Sequence, residues 1–140
     1  MKAPRSPHFW WLCFVAWLCV LFYLSSRPAP DINGPDIPFA DKIVHFGYFF
    51  GGSGLLCAAL YCRPGKPPKL RRLTWIVTLI LALIGVTDEF HQSFTPERFG
   101  NDPFDLMADV LGAFVGTLVF RRFHALLKRD PSPPMNSSGE

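Results

Sequence analysis

Charge is what this chain has least of. Asp, Glu, Lys and Arg make up 18% of the 140 residues, where a soluble domain usually carries about 25%. The shortage is concentrated: residues 9–24 and 73–87 hold no charge, 43–62 hold only His45, and 106–120 hold only Asp109. Several chemical signatures are also absent. There is no H-E-x-x-H pair, no Ser or Cys nucleophile motif and no phosphate loop, so the common zinc-hydrolase, acyl-transfer and nucleotide-hydrolysing routes have no footing. The four cysteines (Cys13, Cys19, Cys57, Cys62) lie inside apolar blocks without C-x-x-C spacing or a His at metal spacing. They read as small buried hydrophobes, and no metal is expected from the spacing. No internal repeat is detectable, which argues against an alternating-access transporter.

What is present is apolar length. A helix crosses a bilayer with about 20 residues, range roughly 17–25, and each of the four blocks reaches that length once its polar ends are counted. The third does so only by running on through Phe94. The expected fold is all-α: a polytopic membrane protein, a bundle of four transmembrane helices at about 9–26, 42–62, 73–94 and 104–124. The chain divides into an N-terminus (1–8), one membrane domain (9–127) and a polar, Pro- and Ser-rich tail (128–140) read as disordered. The first block follows Lys2 and Arg5 as a signal peptide would. It is long, however, carries Trp10, Trp11 and Trp17, and lacks a small-residue cleavage site, so it reads as an uncleaved anchor.

Basic residues set the expected orientation. Lys2 and Arg5, then Arg63, Lys66, Lys69, Arg71 and Arg72, then Arg121, Arg122, Lys128 and Arg129 fall on one set of alternate segments, 11 against the 3 (Arg27, Lys42, Arg98) on the other. Both termini are therefore expected in the cytoplasm. The net charge of +3 is explained by orientation, and no nucleic-acid partner is needed.

In that orientation the unusual polar residues share one depth near the outer face. Helix two begins "DKIVHFGYF", helix three ends "DEFHQSF", and helix four enters with "DPFDLMADVLG". Residues three and four apart share a helix face. Asp41, His45 and Tyr48 line up, as do Asp88, His91 and Gln92, with Glu89 turned about 100° away, and Asp105, Asp109, Gly112 and Gly116 form a third stripe. Ionisable groups in lipid cost about 2.5–3.5 kcal/mol each on insertion scales and turn inward, so the three faces are expected to meet in one cleft. Helix one, with no ionisable residue between Phe9 and Tyr23, is expected at the periphery. Plainer roles compete: Asp102 and Asp105 suit a helix N-terminus, and Gly112 and Gly116 suit close helix packing.

"DKIVHFGYF" at 41–49 and "TDEFHQSFTPERFGNDPFDLMADVLGAFVG" at 87–116, together with the four-helix layout, resemble the VanZ-like family of small membrane proteins. The family pattern falls on Asp41, Lys42 and His45; on Asp88, Glu89, Gln92, Pro96 and Arg98; and on Asp105, Asp109, Gly112 and Gly116. Many members carry Asn where this chain has Asp109. The namesake is linked to low-level teicoplanin resistance, so the resemblance implies the plasma membrane and cell envelope of a bacterium.

Two functional classes follow. In one, the cluster only binds, whether an envelope lipid headgroup or lipid-linked precursor, a divalent cation or a partner helix, through Asp41, Lys42, Gln92, Arg98, Asp105 and Asp109, and modulates the envelope, for example its glycopeptide susceptibility. In the other it is an active site: His45 or His91 is the general base, Asp88 or Glu89 orients it, and Arg98 grips a phosphate or carboxylate. The missing nucleophile motifs favour binding. The bilayer is the one partner the composition demands; an oligomer is left open, and no cofactor is named by any motif.

Overall fold

The computed structural model describes residues 6–28, 39–96, 98 and 100–127. The tail expected at 128–140 and the basic residues at 2 and 5 lie outside them. Four α-helices account for almost all of the described chain: α1 (Pro7–Ser25), α2 (Ala40–Tyr61), α3 (Leu70–Gln92) and α4 (Pro103–Phe123), the last extended by a short 3-10 turn, His124–Leu127. All four are long and apolar enough to cross a membrane; at 1.5 Å per residue, 19 to 23 residues reach about 30 Å or more.

Local chemistry sets the ends of these helices. Pro7 and Pro103 open α1 and α4, where a missing N–H costs nothing. Asp102 caps α4 by accepting from the Phe104 N–H at 2.8 Å. Helix α3 starts at Leu70, three residues before the apolar block, because the prolines at 67 and 68 end the preceding extended segment there. Arg71 and Arg72 ride in its first turn, and a charged residue at a membrane-facing helix end does not interrupt the helix.

The centre of the bundle is the α2–α4 pair, held together by small residues. A Cβ on Gly112 would land on the Phe46 carbonyl, and one on Gly116 on Ser53 Oγ and the Phe50 carbonyl. The glycine stripe therefore brings α4 onto the backbone of α2, as small-xxx-small packing requires. Helix α3 closes the core with Leu73, Val77 and Leu81 against Phe49, Leu56 and Ala113. Helix α1 lies against α2 and α3 and buries only Phe14 and Ser25, in keeping with a peripheral place. Its anchor is Trp17, stacked on Tyr48 at 4.9 Å and over Gly52. The Tyr48 hydroxyl donates to the Trp17 carbonyl at 2.7 Å, and the Trp17 indole donates to the Tyr48 carbonyl at 3.2 Å. Outward faces are apolar, with Ile43 65% and Leu79 63% exposed, as a bilayer environment demands.

Candidate functional site

Two polar networks, not one, gather at the end of the bundle where α1 and α3 finish and α2 and α4 begin. Helix α3 separates them. Asp88 and Glu89 are neighbours in sequence and about 100° apart around the helix, so one carboxylate turns to α1 and the other to α4. Asp88, His91 and Gln92 were expected in a common cleft with His45 and Asp105. They face α1 instead.

The network on the α4 side is built around Lys42. Its ammonium donates to Asp41 at 2.8 Å, to Asp102 at 2.9 Å and to Asp105 at 2.9 Å, so the three acids that α2 and α4 carry at their starts converge on one cation. The Lys42 ammonium holds the Asp102 carboxyl below the usual carboxylate range. One turn deeper, His45 Nδ1 meets Asp109 Oδ1 at 3.0 Å. Asp109 is completely buried, and a Cβ on Gly85 would come within 2.9 Å of its other oxygen; Gly85 thus makes room for a carboxylate between α3 and α4. A carboxylate only accepts, so with Asp109 ionised Nδ1 carries the imidazole proton and Nε2 is left to face something else. Glu89 completes the group from α3, accepting from the Asp102 N–H at 2.8 Å through Oε2.

Two oxygens in this network have no hydrogen-bond partner although both are buried, Glu89 Oε1 and Asp109 Oδ2. Buried polar atoms are nearly always paired, so among the described residues these two oxygens are exceptions. Two sets of side chains here are close enough to hold a cation, His45 with Glu89 and Asp105, and Asp41 with Asp102 and Asp105. The second already surrounds the Lys42 ammonium.

The network on the α1 side is a clasp. Ser25 Oγ donates to Asp88 Oδ1, Gln92 Nε2 donates to Asp88 Oδ2 at 2.7 Å, and Arg98 Nη1 donates to Gln92 Oε1 at 3.1 Å. Arg98 also donates to the Arg27 carbonyl at 2.9 Å and the Leu24 carbonyl at 3.1 Å, and Thr95 Oγ1 donates to the Ser25 carbonyl at 2.9 Å. The last carbonyls of a helix lack intrahelical partners, and the Ser25 and Leu24 carbonyls at the end of α1 gain side-chain donors here. The guanidinium expected to grip a ligand anion thus has three of its donors on the protein itself. His91 stacks on Phe22 at 4.7 Å and meets Ser26 Oγ at 3.0 Å. Tyr48, expected to share a face with Asp41 and His45, is turned to Trp17. Sequence reasoning missed Ser25, Ser26 and Thr95. The available signal was the donor-poor end of α1, whose carbonyls had to be satisfied by some later segment.

Below the Lys42 network an apolar groove of about 1040 Å³ runs between α3 and α4, lined by Phe39, Lys42, Trp75, Met107, Leu111 and Phe114 among others. Among the described residues, Lys42 is the only ionisable group on its wall. A smaller cavity of about 360 Å³ lies between α1 and α3 and reaches Asp88 and His91.

Four apolar helices enclosing a buried ionisable cluster at one end define a multi-pass membrane protein whose polar residues are not there for solubility. The chain belongs to the VanZ/LLP1 family, whose profile matches residues 9–126. The match covers all four helices and both polar networks. No curated protein and no solved structure matches the chain.

Proposed function

We propose that this protein binds a membrane amphiphile of the bacterial envelope, a lipid or lipid-linked precursor, with its tail in the α3–α4 groove and its head at the Lys42 network, and thereby modulates the envelope. The observation that carries this reading is the continuity of the two: the long apolar groove has Lys42 on its wall, and Lys42 joins it to Asp41, Asp102 and Asp105. Ligand sites combine apolar walls with a few convergent polar groups, and an acyl chain gains about 0.8 kcal/mol per CH₂ moved out of water. In a bilayer that gain is already made, so selectivity must come from the head. The carboxylates there favour a head that donates hydrogen bonds, such as hydroxyls or an amine. Basic residues favour the polar end outside and both termini in the cytoplasm, which would put the head site at the outer leaflet. A role in glycopeptide susceptibility follows from the family's namesake and from this placement.

A second reading has its own support. An imidazole oriented by a buried carboxylate, as His45 is by Asp109, is the usual form of a general base, with Glu89 and Asp105 beside it. On this reading the bound amphiphile is a substrate for acid–base chemistry, and Asp88 and His91 position α1 without meeting the reacting atoms.

Native mass spectrometry of the purified protein distinguishes the binding reading from mere solvation by lipid. Leu111→Trp fills the groove, whereas Leu79→Trp adds the same bulk to an exposed face outside it. The first is expected to lose the co-purified lipid and the second to keep it. Equal lipid retention in both would remove the groove from the account.

A further inference from the structure

We infer that His45, Glu89 and Asp105 form a divalent transition-metal site. One donor atom from each lies within 4.8 Å of the others, from three different helices. An ion with bonds of about 2.1 Å holds tetrahedral ligands about 3.4 Å apart, so the side chains need to draw in by up to about 1.4 Å. Two observations beyond proximity point to an ion. First, Glu89 is 4% exposed and its Oε1 is one of the two orphaned buried oxygens. Among the described residues no Lys or Arg bonds to it. Second, His45 Nδ1 meets Asp109 Oδ1 at 3.0 Å, which leaves Nε2 as the nitrogen for an ion. That is the carboxylate–histidine arrangement which fixes the tautomer and orientation of a metal-binding imidazole.

The neighbouring triad makes the contrast. Asp41, Asp102 and Asp105 have the same proximity, but the Lys42 ammonium is bonded to all three and acts as their cation. In the His45 triad Lys42 holds Asp105 alone, and among the described residues neither His45 nor Glu89 has a Lys or Arg bonded to it. Its donors are one imidazole nitrogen and two carboxylate oxygens. An imidazole suits Zn²⁺ or Mn²⁺ better than the harder Ca²⁺ or Mg²⁺, and two carboxylates neutralise a divalent charge. With three protein ligands, a coordination position stays open for water or a ligand. Sequence spacing gave no sign of this, because the donors come one each from α2, α3 and α4 and no two share a helix. The ion would bind with or without an amphiphile in the groove.

The test uses the untagged full chain in detergent, stripped with a chelator, dialysed against Zn²⁺ or Mn²⁺ with no lipid added, and counted by elemental mass spectrometry. The expected result is one retained ion per chain and a thermal midpoint that rises with metal concentration. Glu89→Gln, which keeps shape and removes the ligand charge, should lower affinity at least ~10-fold, and Asp109→Asn, acting through His45, should weaken it by about 10–100-fold. Asp41→Asn, in the triad that holds Lys42, should retain the ion. Loading the wild type with Co²⁺ gives a readout that needs no variant: the spectrum of a low-coordinate nitrogen and oxygen site is expected. Retention no greater than in a buffer control, equal retention in wild type and Glu89→Gln, or the spectrum of the free aqua ion would each overturn the inference.

Discussion

At the scale of single residues, the clasp and the cluster make opposite demands on substitution. Thr95 holds the Ser25 carbonyl with one buried hydrogen bond, and Thr95→Val keeps the shape while removing it. The expected cost is about 1 kcal/mol, and Arg98→Ala, which drops three partly exposed bonds, should cost about 1–3 kcal/mol. Both are read as a lowered thermal midpoint in detergent, and in both the folded fraction should still hold its lipid. A midpoint unchanged in Arg98→Ala would mean that Arg98 adds nothing to the hold that Asp88, Thr95, Trp17 and Tyr48 have on α1. Much of the cluster was legible in the sequence: the D-K-x-x-H and Asp105, Asp109 spacings each put their acids and bases on one helix face. The division between Asp88 and Glu89 was not. Both are carboxylates at a helix end, and which one turns to α1 depends on how α3 is rotated against its neighbours, which hydropathy does not encode.

At the scale of elements, the decisive contact is α4 on α2. Gly112 and Gly116 are where a β-carbon meets backbone, and backbone does not move aside as a flexible side chain does. Gly112→Ala is expected to part the two helices and sharply reduce the monodisperse fraction in size-exclusion chromatography. Gly47 lies on α2 with nothing within 4 Å of its would-be β-carbon, and Gly47→Ala should be neutral or gain up to about 1 kcal/mol of helix propensity. Equal damage from both would show that helix formation, not the α2–α4 approach, limits folding. The four helices themselves were legible because each apolar block is long and bounded by charge or proline. The glycine stripe was visible too, but its partner was not, since any of three helices has a face to receive it. Helix α1 read as a plain anchor; its functional end, Ser25 and Ser26, carries no charge and so escaped a search based on ionisable groups.

At the scale of the whole molecule, α3 divides a small bundle into two sides. One side fastens α1 through Asp88, Gln92, Thr95 and Arg98. The other gathers His45, Glu89, Asp105 and Asp109 around unpaired oxygens beside Lys42 and a groove. Ionisable groups at one depth are costly; about half of these complete the scaffold, and on the proposed reading the rest serve a ligand. On the proposed reading an amphiphile occupies the α3–α4 groove with its head at Lys42. The most direct measurement is photo-cross-linking in vesicles of native envelope lipid carrying a photoreactive lipid, with the adducts mapped by peptide mass spectrometry. The expected adducts concentrate on Phe104, Met107 and Leu111 and fall away in Leu111→Trp. Adducts spread evenly over the outward residues of every helix, Ile43, Leu79 and Leu118 as often as Met107, would contradict the account.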